Sequence, residues 1–311
     1  MQNIMVTGGA GFIGSNLVHA LQRQYPEAHI VVVDDFRSGD FRNLRGFRGD
    51  FVAADVSRLD WQAQFKGQSF DVIFHEASIT DTTEHSQWLQ AHDNIEGFRR
   101  VLDFAAINLT PVVYASSAAT YGQASGVNRE DQPPAPANVY GFTKVQLDNL
   151  ARYRAQHNPS WRIVGLRYFN VYGPGEAHKG RMSSMIWQLY TQMKAGRRPR
   201  VFKHGEQKRD FVYVKDVVAM TVRAAGAPRS AVYNCGSGMA FSFNEIIGEL
   251  NRNLGTQLDP DYFDNPYGAF YQNHTQADMS LAARELGFTP AYPPARGIAD
   301  YVAILEGRQP A

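Results

Sequence analysis

The sequence predicts an α/β fold: a doubly wound parallel sheet with helices on both faces, joined to a smaller, discontinuous α/β part. Three observations predict it. Short apolar runs alternate with helical patterns through the first half of the 311-residue chain. A glycine-rich turn links the first run to the first helix. After Pro174 the character changes, and helical segments, loops and turn residues dominate.

The apolar runs are Ile4–Val6, Ile30–Val33, Val72–Phe74, Val112–Tyr114 and Ile163–Leu166. Strands covered on both faces have no polar side to show, so they read as unbroken apolar runs. Phe12–Leu21 and Asn94–Ala106 carry apolar residues at helical spacing between them. Such alternation calls for parallel strands joined by crossover helices. Further on, Gly205-Glu206 and Asp259-Pro260-Asp261 mark turns, and Ala231–Asn234 reads as one more strand returning to the sheet. The expected division is a sheet domain of residues 1–170 with about 215–242 and 288–300, and a second domain of 171–214 with about 243–287 and 301–311. No internal repeat or low-complexity linker interrupts this plan.

Composition narrows the function classes. Lys plus Arg is 31 against 30 Asp plus Glu, for a net charge of +1. That balance gives no electrostatic reason to expect a nucleic-acid or membrane partner. The single cysteine, Cys235, allows no intrachain disulfide and fits a reducing compartment. No run approaches the roughly 18 apolar residues of a membrane span. The chain starts straight into a strand and lacks the basic start and apolar run of a signal peptide. The expectation is a soluble cytoplasmic protein. His75 and His85 lack the spacing of a ligand pair, so no metal is expected.

Residues Gly8-Gly9-Ala10-Gly11-Phe12-Ile13-Gly14 follow the first run and open the first helix. They contain Gly-x-Gly-x-x-Gly at Gly9, Gly11 and Gly14. Glycines there permit a tight turn and let a pyrophosphate approach the backbone at the helix N-terminus, the Rossmann-type arrangement. The second run ends in Asp34-Asp35, about 20 residues past the last glycine, where an acid holds an adenosine ribose. Those acids favour the free 2′-hydroxyl of NAD, whereas Arg37 and Arg42 would suit the 2′-phosphate of NADP. The sequence leaves both open.

Tyr140 and Lys144 stand four residues apart, on one face of a helix. A neighbouring ammonium favours the phenolate and is expected to lower the tyrosine pKa, making it usable for moving a proton on and off an alcohol. Ser116 and Ser117 end the Val112 strand at the sheet edge where ligands bind, and a serine hydroxyl there suits the reacting oxygen. Tyr190 and Lys194 repeat the spacing without a serine partner, so spacing alone decides nothing. Together the glycine turn and the tyrosine point to redox chemistry at an alcohol.

The Gly-Gly-Ala-Gly-Phe-Ile-Gly turn, the serine pair and Tyr140/Lys144 resemble the extended short-chain dehydrogenase/reductase superfamily. Arg167-Tyr-Phe-Asn-Val-Tyr-Gly-Pro174 and Arg209-Asp-Phe-Val-Tyr-Val214 resemble further motifs of its sugar-nucleotide epimerases and dehydratases. Within it, four stretches resemble the ADP-L-glycero-D-manno-heptose 6-epimerase family. They are Tyr114-Ala-Ser-Ser-Ala-Ala-Thr-Tyr-Gly122, His178-Lys-Gly180, Thr275-Gln-Ala-Asp278, and Phe74-His-Glu-Ala77 with Thr82-Thr-Glu84.

That resemblance implies inversion at carbon 6 of a nucleotide-bound heptose of the lipopolysaccharide inner core. It implies a retained NADP and a homo-oligomer, specifically a pentamer. It implies two acid–base residues, Tyr140 and Lys179, with Ser116 and Lys144 in support. Asp55, Glu76, Ala77, Ser78, Asn94 and Val171 would line the cofactor with the glycine turn. Asn170, Phe202, Lys203, His204, Gly205, Arg209 and Tyr271 would meet the substrate; an arginine suits a diphosphate because its fork is bidentate. Arg181 and Gln188 stand where the family pattern has a serine and a histidine in contact with substrate, and the loop Arg37–Asn43 is one residue shorter near a phosphate-recognising lysine. These departures leave the exact sugar nucleotide and the choice of NADP or NAD open. A UDP-hexose 4-epimerase would need Tyr140 but not Lys179. A 4,6-dehydratase is disfavoured because Ser117-Ala-Ala-Thr120 offers no acid. A cofactor-binding scaffold without turnover would not need Tyr140.

Overall fold

The structure, a computed structural model, describes residues 1–81, 86–124, 126–265 and 274–309. The chain begins β1 (Asn3–Thr7), α1 (Phe12–Gln24), β2 (His29–Asp34), β3 (Asp50–Ala53), α2 (Trp61–Gln64), β4 (Val72–His75), α3 (Gln87–Ala105) and β5 (Val112–Ser117). It continues β6 (Gly126–Asn128), α4 (Val139–His157), β7 (Ile163–Tyr168), β8 (Asn170–Tyr172), α5 (Met185–Lys194), β9 (Arg200–Phe202), β10 (Lys208–Tyr213) and α6 (Val214–Ala224). It ends β11 (Ala231–Cys235), β12 (Ala240–Ser242), α7 (Phe243–Leu254), β13 (Asp261–Phe263), β14 (Thr275–Ala277), α8 (Ser280–Leu286) and α9 (Pro294–Leu305).

Seven strands pair in parallel in the order β3-β2-β1-β4-β5-β7-β11. The fold is the expected Rossmann-type α/β sheet. The five apolar runs are β1, β2, β4, β5 and β7, and Ala231–Asn234 lies in β11 at the sheet edge. Alternation along each strand divides the core between the two faces. Ile4, Val6, Ile30, Val32, Val72 and Phe74 pack with Leu17 and Val18 of α1 and Val217 of α6. Met5, Val31, Val33 and Ile73 pack on the other face with Phe98 and Val101 of α3 and Leu147 of α4. Each such side chain, fully buried, contributes roughly 1.5–3 kcal/mol.

Strand order reverses beside β1: β2 and β3 lie to one side, β4 and β5 to the other. A crevice opens there, outside the carboxyl ends of the strands. Differences from the sequence reading are local. β3 is mostly exposed and starts on Asp50, so it shows no apolar run. α3 begins before the expected Asn94 because the Ser86 hydroxyl caps it by accepting from Leu89 N. Outside the seven-stranded sheet, β10 lies between β8 and β12, and β9–β13 and β6–β14 form short parallel pairs. Most are three-residue strands, too short for a period-two pattern to register.

Candidate active site

The glycine turn is shaped by contacts that exclude side chains. Gly8 has φ +70°, and a Cβ there would sit 2.5 Å from Ala77 N. A Cβ on Gly14 would sit 2.1 Å from Gly8 O, so helix and turn close directly on each other. Gly11 precedes α1 without a side-chain cap. The first-turn N–H groups of α1 thus face outward at the positive end of the helix dipole, a ready site for a pyrophosphate. The residues expected to hold the dinucleotide, Val171 excepted, line one cavity of about 440 Å³, which fits such a ligand. Val171 is instead paired with Val212 between β8 and β10 and is not part of this lining.

At the β2 end of the cavity, Asp34 accepts from Ala10 N at 2.9 Å and from Phe36 N at 2.8 Å. Burial raises its pKa while these two N–H groups oppose the shift. Arg37 is engaged by acids: Asp93 at 2.6 Å, Asp55 at 3.1 Å and Asp35 at 3.3 Å. Arg42 is paired with the adjacent Asp40 in solvent. Asn94 shapes the facing loop, accepting from Ile79 N at 2.7 Å and donating to Ile79 O at 3.1 Å.

Tyr140 opens α4, whose N-terminus is capped by Asn138 accepting from Gly141 N at 2.8 Å. Lys144 follows one turn later and is 1% exposed. Its Nζ donates to Ala115 O at 2.8 Å and lies 5.6 Å from the centre of the Tyr140 ring. Burial brings Lys144 down to about 8, against the opposing pull of Glu76 and Asp148. The expected lowering of the Tyr140 pKa is absent. Burial raises it, a hydrogen bond with Ser117 partly offsets this, and Glu76 raises it further. Burial of the phenol is the larger effect, and no charge from Lys144 is among the causes that offset it.

The serine pair divides its roles. Ser117 is the one bonded to Tyr140, and it also caps the following turn by accepting from Ala119 N at 3.1 Å. Ser116 lines the large cavity with a buried hydroxyl that has no partner among the described residues. The sequence assigns Ser116 to the reacting oxygen, a role distinct from bonding the tyrosine; consecutive strand residues point to opposite sides, and Ser117 is the one that bonds Tyr140. Glu76 brings an acid to the same place. Its carboxylate accepts from Tyr168 Oη at 2.9 Å, and burial pushes its pKa up to about 7 despite Lys144. The position after β4 was legible as cofactor lining, but not as a carboxyl held near its protonation point. His75, beside it, bonds Thr7 Oγ1 at 2.8 Å, and burial takes its pKa down to about 3, so it is neutral.

Lys179 enters from the turn Ala177–Met182 and lines the same cavity as Tyr140. Its Nζ lies 5.7 Å from the centre of the Phe12 ring. Burial lowers its pKa, with Glu176 opposing. A lysine so placed gives up its proton more readily than a solvated one. His178 bonds Gly175 O at 2.8 Å and meets Asn43 at 3.2 Å, which steadies the turn. The Tyr190/Lys194 pair is accounted for elsewhere: both side chains hold Glu306.

The expected substrate residues are more scattered. Asn170 donates to Asp210 O at 3.0 Å and lines a smaller cavity that also touches Ser117. Arg181 is exposed, and Gln188 donates to Arg181 O and Ser183 O, bracing the Lys179 turn. Neither lines the large cavity. Phe202 ends β9, Lys203 pairs with Asp264 at 2.8 Å, His204 lies edge-on to Tyr262, and Gly205 turns with φ +74° against Asn244. Arg209 donates to Lys208 O, while the Asp210 carboxylate is taken by Ser237, Gly238 and Ala277 backbone groups. Phe202–Gly205 and Arg209 are likewise outside the large cavity. Tyr271 lies outside the described residues.

One cavity thus joins the glycine turn to Tyr140 and Lys179, two titratable side chains from separate parts of the chain. Comparison with known proteins identifies the family. The NAD dependent epimerase/dehydratase family matches residues 4–236. The chain is similar to a Helicobacter pylori ADP-L-glycero-D-manno-heptose-6-epimerase at 40% identity, over 98% of this chain and 96% of that one, with a TM-score of 0.91. It is similar to a Thermotoga maritima UDP-glucose 4-epimerase at 26% identity, over 98% and 99% of the chains, TM-score 0.90. It is similar to a Bacillus cereus UDP-glucuronic acid 4-epimerase, solved with a substrate analogue and NAD, at 28% identity over 98% and 99%, TM-score 0.86. Glycine cradle, tyrosine–lysine helix and full-length similarity converge: this chain is an enzyme belonging to the NAD dependent epimerase/dehydratase family, among the nucleotide-sugar epimerases.

Proposed function

We propose that the protein interconverts ADP-D-glycero-D-manno-heptose and ADP-L-glycero-D-manno-heptose at carbon 6, supplying heptose for a lipopolysaccharide inner core. The observation that carries this reading is that Tyr140 and Lys179 line one cavity with the glycine turn. When bound, the oxidised nicotinamide supplies a hydride acceptor and a positive charge, which acts with Lys144 on the Tyr140 phenol. One of the two side chains takes the carbon-6 hydroxyl proton as the ketone forms. The other returns a proton to the oxygen when it lies in the opposite orientation. Ser117 holds the tyrosine hydroxyl, and the segments outside the seven-stranded sheet seat the sugar nucleotide. Similarity at 40% identity to a heptose-6-epimerase supports the substrate. The test is NMR of carbon 6 with either ADP-heptose epimer beside UDP-glucose. Conversion of the heptose is expected; conversion of UDP-glucose alone would overturn the reading in favour of a 4-epimerase.

The cofactor turns on Arg37. The resemblance implies NADP, but the guanidinium is held by Asp35, Asp55 and Asp93, all of which line the cavity with Asp34. A 2′-phosphate would meet excess negative charge, and this arrangement supports NAD. One carboxylate about 10 Å away at an effective dielectric of about 20 costs a phosphate charge ~1.7 kcal/mol, roughly tenfold or more in affinity. The dinucleotide released on denaturation is therefore expected to be NAD. Asp93→Asn should move the NADP:NAD affinity ratio about tenfold towards NADP, read by calorimetry on the stripped protein. Release of NADP from the wild type would reverse the assignment.

The reading also places the enzyme in the cytoplasm, in keeping with the buried free Cys235 and with no helix among the described residues long and apolar enough to cross a membrane. It works as a homo-oligomer, a pentamer by resemblance. Exposed Trp88 on α3 and Phe142 and Tyr153 on α4 support self-association.

A further inference from the structure

A cavity of about 160 Å³ shares one wall residue, Tyr168, with the dinucleotide cavity. Ser117 opens it on one side, Asn170 on another, and the β6–β14 ribbon closes it through Asn128 and Thr275. The register pairs Thr275 with Gly126 and Ala277 with Asn128. Side chains alternate along strands, so Thr275, Ala277 and Asn128 share one face of the ribbon. That face is inward: Asn128 is 1% and Thr275 is 7% exposed.

Asn128 Oδ1 and Thr275 Oγ1 are buried and have no hydrogen-bond partner among the described residues. The orientation of the amide is settled by its other end, since Nδ2 donates to Gly126 O at 3.2 Å and Gln276 O at 3.4 Å. An acceptor oxygen and a hydroxyl are thus left at the wall of a polar cavity beside the Tyr140–Ser117 bond. Native interiors rarely leave such atoms unmatched without a use. The space suits roughly five water-sized groups at ~30 Å³ each, enough for a short polyol arm but not for a nucleotide.

We propose that this cavity is a subsite for the hydroxyl-bearing arm of the sugar next to its reacting carbon, held by Asn128 and Thr275. The assignment rests on the reading of the site as a nucleotide-sugar epimerase. A terminal hydroxyl donates to Asn128 Oδ1, and the Thr275 hydroxyl donates to or accepts from the same arm. The pair thereby favours a sugar whose arm is long enough to reach it, a heptose over a hexose. Neither residue touches the dinucleotide cradle, so they are specificity residues rather than catalytic ones.

The test uses the dinucleotide-loaded protein and its Asn128→Leu and Thr275→Val variants. Calorimetry compares ADP-heptose, ADP-mannose (which lacks the seventh carbon) and ADP. The expected result is a loss of about tenfold or more for ADP-heptose, a smaller loss for ADP-mannose and none for ADP. Melting temperature should stay level or rise for Thr275→Val, which removes a buried hydroxyl without a partner, and fall for Asn128→Leu, which also loses the Nδ2 bonds to Gly126 O and Gln276 O. A purely structural role would instead weaken all three ligands together in both variants. Wild-type affinity for ADP-heptose in both variants, or equal weakening of bare ADP, would overturn the subsite. If the wild type binds UDP-hexoses and ignores ADP-heptose, the proposed reaction fails on its own. The subsite is then judged by the same variants against UDP-hexose and UDP, and it stands only if the sugar increment alone is lost.

Discussion

Replacing Tyr140 with phenylalanine should slow epimerisation by about 10²–10⁴-fold, the usual worth of a positioned proton-transfer group. That corresponds to ~2.7–5.5 kcal/mol of transition-state stabilisation. The substitution keeps the ring that packs beside Lys144 and leaves the Asn138 cap on Gly141 untouched. It removes the hydroxyl bonded to Ser117 and nothing else. Melting temperature and dinucleotide content should therefore stay at wild-type values while turnover falls. The pH profile separates chemistry from packing. Burial raises the phenol above its ordinary pKa, so at neutral pH it holds its proton and is ready to donate. In the oxidising direction the wild-type rate should climb with pH as the phenolate becomes accessible, and the variant should lack that limb. A phenylalanine variant with wild-type turnover would remove the phenol from the chemistry and revive a binding scaffold without catalysis.

How legible this site was depends on where each constraint lives. The sheet, the glycine turn and the Tyr140/Lys144 helix were readable because each leaves a local signature. Ile4–Val6 is an apolar run, Gly8–Gly14 is a backbone requirement, and a four-residue spacing is a helix face. The environment of those residues was not readable, because it is set across the fold. Lys144 is expected to lower the phenol pKa, yet burial and Glu76 raise it, and both are properties of the surrounding fold rather than of the motif. Arg37 looked able to meet a phosphate, but Asp55 and Asp93, distant in sequence, engage it. Gln188 matched a substrate position by alignment of pattern, whereas its amide is spent on two carbonyls of the Lys179 turn. Ser117 rather than Ser116 reaches Tyr140, a choice decided by the pleat of one strand.

Replacing Lys179 with methionine should cost epimerisation a similar factor, about 10²–10⁴-fold, and the manner of the loss decides between the two epimerase mechanisms. Methionine keeps an apolar stem of similar length and removes the ammonium with its contact to the Phe12 ring, so fold and dinucleotide content should persist. A single-base enzyme uses its tyrosine for both orientations of the substrate, and in that scheme Lys179→Met would turn over normally. In the two-base scheme each epimer presents its hydroxyl to a different side chain. Each variant should then keep the oxidising half-reaction from one epimer and lose it from the other, and the two variants should fail in opposite senses. The readout is reduced-nicotinamide absorbance on mixing each variant with each pure epimer in a single turnover. Steady-state rates cannot show this, since a fixed equilibrium constant makes forward and reverse kcat/KM fall together. The half-buried position of Lys179 makes the scheme physically workable. Desolvation lowers its pKa towards the working range, so the neutral amine needed to accept a proton is more accessible than on a surface lysine. Failure of both variants with the same epimer would place the two residues on one proton path and remove the basis for inversion by opposite faces.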